Sequence, residues 1–181
     1  MSWSRRLFAT RGAAPRALWV STALLLAVGC GGGDGGDGPA GPGRAAILSA
    51  PTFTTFADSL VNVDLRLETD GPAAALQVDV IFPPQVVPVV SGAVASGRAV
   101  GLEGVTLQTL SPGRVRVLLF DPAGENAIAR GSGPVLTLSF EVARAAPAGT
   151  FPVTLEAGLV VDAAGETLDV TLLPGAVTVT P

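Results

Sequence analysis

The sequence predicts an all-β fold, a two-sheet antiparallel sandwich over residues 45–181, and three observations carry that prediction. Apolar residues recur at every second position in segment after segment; turn residues separate the segments about every ten positions; and no stretch between them has helical period. A helix-period segment after each strand would instead have implied parallel βαβ units.

The segments follow in order. In Val61–Glu68 the apolar positions 61, 63, 65 and 67 alternate with Asn62, Asp64, Arg66 and Glu68, the pattern of a strand with one face on a core and one in water. The same alternation runs through 76–82, 115–119, 136–142, 151–156 and 168–172. Between them lie Asp70-Gly71-Pro72, Pro83-Pro84, Ser111-Pro112-Gly113, Asp121-Pro122-Ala123-Gly124, Ala148-Gly149 and Ala163-Ala164-Gly165, residue types that favour turns. About eight to ten short strands are expected, enough to bury Phe82, Phe140, Phe151 and the Val and Leu rows without a disulfide.

The first 44 residues read differently. Residues 1–16 hold Arg5, Arg6, Arg11 and Arg16 and no acid, residues 17–28 are an apolar run, and Gly29-Cys30 follows. That order is a secretory signal over residues 1–29, and its twelve-residue apolar run is too short to span a bilayer as a helix. Residues 30–44 are rich in Gly, with Asp34, Asp37 and two prolines, and bury nothing; they read as a flexible tether. Ser4-Arg5-Arg6-Leu7-Phe8 is similar to the opening of a twin-arginine signal, although Ala9-Thr10 departs from that motif.

Composition narrows the chemistry. All 11 basic residues are Arg, there is no His and no Tyr, both Trp precede Cys30, and Cys30 is the one cysteine. Past Cys30, seven Arg face 15 acids, so the domain repels phosphate backbones and nucleic acid is excluded as a partner. Neither a thiolate nor a histidine base is present in that part, and no cofactor motif or Asp-x-Asp-x-Asp loop occurs. No cofactor and no metal are expected.

Two resemblances sharpen the reading. Leu26-Ala27-Val28-Gly29-Cys30 resembles the lipobox of bacterial lipoproteins, with Ala27 where Leu is usual. It implies lipidation of Cys30 and an exported, lipid-anchored envelope protein, sorted to the outer membrane in a bacterium with two membranes, since Gly31 rather than Asp follows the cysteine. Further on, Leu76-Gln77-Val78-Asp79-Val80-Ile81-Phe82-Pro83-Pro84-Gln85-Val86-Val87, the strand 115–120, Gly133–Val142, Ala146–Thr150, Val161–Gly165 and Pro174–Val179 resemble, in that order, the cohesin domains. The likeness covers nearly all of residues 46–180 and implies a jelly-roll sandwich, related to certain carbohydrate-binding modules, that binds and does not catalyse.

In cohesins the partner lies across the sheet that brings the strand near 76–82 beside the strand near 114–120. By alternation the outward residues are Gln77, Asp79 and Ile81 beside Arg114, Arg116 and Leu118, with Thr106 and Gln108 on the next strand. These eight form the expected partner-binding face, for a dockerin-like or envelope protein. The competing plain reading is a solvated face on which Asp79 and Arg116 form a cross-strand pair. Ala75 and Gln77 fall where some cellulosomal cohesins carry the Asn and Asp that meet a dockerin, and Pro83 replaces the Asp of the family's Tyr-Asp-Pro turn.

A polysaccharide ligand is the alternative partner. Sugar platforms usually need exposed Trp or Tyr, which residues 31–181 lack, leaving Phe53, Phe56 and Phe120. Carboxylate pairs for hydrolysis reduce to Asp121 with Glu125 and Asp162 with Glu166, all in turn sequences where acids are expected without catalysis. The domain is therefore expected not to be an enzyme.

Overall fold

A computed structural model describes residues 44–181. The expected signal sequence, the expected lipidation site Cys30 and the expected tether up to residue 43 lie outside the described residues. Eleven strands form two sheets: β1 (Ala45–Ser49), β2 (Thr52–Phe56), β3 (Leu60–Thr69), β4 (Ala73–Ile81), β5 (Val90–Ala95), β6 (Gly104–Ser111), β7 (Arg114–Phe120), β8 (Gly131–Glu141), β9 (Gly149–Asp162), β10 (Asp169–Leu173) and β11 (Gly175–Thr180). The order is β10-β1-β3-β8-β5 in one sheet and β2-β11-β9-β4-β7-β6 in the other. All six segments read from alternation are strands, and the sandwich is as expected. The sheets are mixed, however, because β1 pairs with β10 and β2 with β11 in parallel.

The parallel pairs come from the chain changing sheets at Ala50-Pro51. β1 and β2 run almost without interruption from one sheet into the other, so each meets a C-terminal strand running the same way. Where β11 passes this crossing, a Cβ on Gly175 would lie 2.0 Å from the Pro51 carbonyl oxygen, so only glycine fits.

Between the sheets the inward rows make one core. Val63, Leu65 and Leu67 of β3 and Leu136, Leu138 and Phe140 of β8 face Leu76, Val78 and Val80 of β4 and Val115, Val117 and Leu119 of β7, all buried. Phe82 and Phe140 sit with ring centroids 4.9 Å apart, and Phe53 leans on Phe140 at 5.8 Å. Phe151 differs from expectation: it is half-buried at the margin, because β9 there lies next to β11 near the edge of its sheet.

Arg98, in the 3₁₀ turn Gly97–Ala99, ties one end of the sandwich together. Its guanidinium donates to the carbonyls of Leu67 (2.5 Å), Gly131 (2.6 Å) and Ala129, near the end of β3 and the start of β8.

Gly175→Ala is predicted to lower stability by about 1–3 kcal/mol, the usual cost of forcing atoms into a filled site. Urea unfolding followed by circular dichroism measures it.

Candidate functional site: the outward face of β6-β7-β4-β9

Register turns four strands into a ladder of rows. Residues directly opposite in an antiparallel pair share a face, so the pairings give Gly104-Phe120-Ala75-Val161, Thr106-Leu118-Gln77-Leu159, Gln108-Arg116-Asp79-Glu156 and Ser111-Arg114-Ile81-Thr154 on the outer side. All eight residues predicted for the binding face lie on it together. The two rows nearer Phe120 are largely apolar. The third is charged, and the fourth is mixed.

At the centre of the charged row, Asp79 accepts from Arg116 Nε at 2.6 Å and Nη2 at 3.0 Å, and from Arg114 Nη2 at 2.8 Å. Arg114 Nη2 also lies 3.0 Å from Glu156 Oε2. The cross-strand pair of the plain reading therefore exists, enlarged to two guanidiniums and two carboxylates of zero net charge. One expectation needs correcting: Asp79 points outward yet is 0% exposed, because the two arginines lie over it. A partner would meet Arg114, Arg116 and Glu156 first, with Asp79 holding the arginines in place.

The Arg116 hydrogen bonds, with help from Arg114, hold the Asp79 carboxyl below the usual aspartate range against the opposing effect of burial. Both guanidiniums are in turn held above their usual value, chiefly by their hydrogen bonds to Asp79. Asp79 and the two arginines thus stay ionised near neutral pH and supply no titrating acid or base.

Sequence reasoning missed Glu156, Leu159 and Val161. Strand β9 runs to Asp162, well past residue 156, and carries a β-bulge at Ala157-Gly158, where two residues oppose Val78. Val153 and Leu155 face in before the bulge, and Val160 faces in after it, so the parity flips. Ala157 takes a left-handed φ of 48°, and a Cβ on Gly158 would meet Leu172 Cδ2 at 2.6 Å. The signal was present in the sequence as that change of parity around a glycine.

The other candidates fall into structural roles. Asp121 accepts the backbone N–H groups of Ala123, Glu125 and Asn126, and Asp162 those of Ala164 and Glu166 together with the Arg44 guanidinium. These bonds, led by Asn126 at Asp121 and Glu166 at Asp162, depress both carboxyls, so each is a turn-closing carboxylate poorly suited to donating a proton. Of the aromatic candidates for sugar, Phe120 lies against Gly104, Phe53 packs on Phe140, and Phe56 is exposed without an aromatic neighbour among the described residues.

The model of the Cohesin domain family matches residues 48–179, nearly the whole sandwich. The chain belongs to the cohesin family. No curated protein matches it. Among solved structures this cohesin is similar to a type I cohesin in complex with a dockerin from Clostridium thermocellum, with a TM-score of 0.66 and 16% identity over 75% of this chain and 99% of that one. It is similar as well to the sixth cohesin of scaffoldin B from Acetivibrio cellulolyticus in complex with a dockerin, at 0.62, 16%, 76% and 99%. A third is the non-cellulosomal cohesin of the archaeon Archaeoglobus fulgidus, at 0.63, 14%, 76% and 92%. At these identities the solved structures speak for the fold.

Because Asp79 has a depressed carboxyl in the folded cohesin, it adds stability that is complete above the ordinary aspartate value and is lost as pH falls through the lowered one. Asp79→Asn is predicted to cost roughly 1–2 kcal/mol at pH 7, toward the low end for charge-assisted bonds since both guanidiniums remain partly in water. The deficit should shrink as pH drops below about 4, where the carboxyl of the unfolded chain begins to protonate, and close as pH falls through the lowered folded value. Thermal melts of both proteins between neutral and acid pH test the sign.

Proposed function

We propose that this cohesin is a non-catalytic binding module, held at the cell envelope by a lipid on Cys30 and a Gly-rich tether, that docks a protein partner of the dockerin kind on its β6-β7-β4-β9 face. The observation that carries the reading is the composition of that face: two largely apolar rows beside a prearranged, charge-neutral arginine–carboxylate cluster, on a fold of the cohesin family. Such a mixture suits a protein interface, where apolar contacts supply affinity and fixed charges supply register.

The contacts differ from those of cohesins that carry Asn and Asp on this strand. With Ala75 and Gln77 in those places, flanked by Leu118, Leu159 and Val161, the near half of the face fits aliphatic side chains better than polar ones. Arg114, Arg116 and Glu156 then rim the contact. Export follows from the signal sequence, and the outer membrane is the destination that Gly31 suits.

Two experiments test the reading. Residues 44–181, used as bait in the source organism's extract, should capture a protein bearing a dockerin-type module. Gln77→Lys with Leu159→Lys, which leaves the Asp79 network intact, should weaken capture roughly tenfold or more, as expected for residues central to an interface. Equal capture by both baits would remove the assigned face. In cells, Cys30→Ser should move the protein from the membrane fraction to the soluble one, and retention in the membrane would rule out the lipid anchor.

A further inference from the structure

Four strands form the outer edges of the two sheets: β10 and β5 in one, β2 and β6 in the other. Edge strands expose unpaired backbone N–H and C=O groups and are normally blunted by shortness, charge, proline or a bulge. Three of the four are blunted here. β10 is five residues long and opens on Asp169. β5 is bulged between Val90 and Gly92. β2 is five residues long.

β6 has none of these devices over residues 104–109. It spans eight residues, carries no charge and no proline, and stays in regular register with β7 until the shift between Thr109 and Ser111. Among the described residues its outer side makes no backbone hydrogen bond, although β5 of the other sheet passes close to it. Val105 and Leu107 are only half-buried, and Thr109 is exposed although it lies on the inward row, so the second sheet does not fully cover this margin.

We infer that β6 pairs with the β6 of a second copy of this chain, antiparallel and about a two-fold axis at Leu107. A two-fold axis perpendicular to the sheet keeps like faces together. It sets Thr106 opposite Gln108 on the outer side, and Val105 opposite Thr109 and Leu107 opposite Leu107 on the inner side, with Gly104 opposite Leu110. Every opposed pair is uncharged, and the half-buried Val105 and Leu107 gain cover. Charge argues for this place of contact: residues 44–181 carry seven Arg against thirteen acids, so copies repel over most of the surface, and this edge is free of charge.

Pairing there joins the two six-stranded sheets into one and sets both arginine–carboxylate faces side by side on the same side. A dimer so built would present two docking faces at once, which raises the avidity for a partner carrying two modules. One strand pair is a small interface, in the weak and transient class below about 1,200 Å².

The test uses residues 44–181, the span that solved cohesins show to be a folded unit. Sedimentation velocity over a concentration series should show monomer passing to dimer, and amide exchange should slow with concentration in 104–110 alone. This span has no cysteine, so Leu107→Cys supplies the one thiol, and opposed residues lie at distances a disulfide tolerates. That variant should form a covalent dimer on mild oxidation. Thr109→Lys, which places a charge on the exposed inner margin, should hold the protein monomeric. A native domain that stays monomeric up to its solubility limit, protection that arises elsewhere, or a Leu107→Cys variant that does not cross-link would overturn the inference. None of these readouts involves the dockerin-type partner, so failure here leaves the docking face to its own test.

Discussion

Burial of two inward apolar rows against each other is the constraint from which the rest of the structure follows. Residues 31–181 contain no cysteine, and among the described residues there is no helix layer to share the load, so the sheets must close on one interior. A side-chain period of two means that a strand slipped by one residue would turn Val78, Val80, Val115 and Val117 into water. Register is thereby fixed. Once it is fixed, the outer residues have no freedom either: Gln77, Asp79 and Ile81 must share a face with Leu118, Arg116 and Arg114, because the core has already chosen their neighbours.

That coupling explains how a domain with few special residues can build a defined surface. Asp79 needs only the two arginines that the register delivers to it, and together they form a group in which three guanidinium N–H donors hold one ionised carboxylate in position. The bulge at Ala157-Gly158 does the complementary task on β9. It reverses the parity of a long strand beyond Glu156, so that Leu159 and Val161 extend the apolar rows, at the cost of an alanine held in a left-handed conformation. Strain of this kind persists where surrounding packing over-determines it, and here Leu172 against Gly158 does so.

Much of this was legible in the residues. Alternation located the strands around 61–68, 76–82 and 115–119, and their outward members proved to be neighbours because a period-two pattern carries both position and face. Three features were not legible, for physical reasons. The covering of Asp79 depends on Arg114 reaching diagonally across rows, which a pairwise alternation rule does not describe. The role of Leu159 and Val161 depends on a bulge, and a bulge is invisible to any rule that assumes unbroken alternation. The parallel pairing of β1 and β2 arises from the sheet change at Pro51, a matter of chain path that Gly175 hints at only once the close approach of its neighbours is known. The turn acids Asp121 and Asp162 were read correctly as turn residues, since consecutive backbone N–H groups are what a carboxylate finds in such loops.

The account rests on one face doing the binding. Its most direct test is to titrate the isotope-labelled domain with a dockerin-type module from the same organism and to follow every backbone amide by NMR. The account predicts shifts concentrated in β6, β7, β4 and the stretch of β9 around the bulge, with the Arg114 and Arg116 side-chain signals among the most affected. Shifts confined to the outer face of the β10-β1-β3-β8-β5 sheet, or to the cavity lined by Asp58, Val89 and Arg144 at the end of the sandwich, would contradict it.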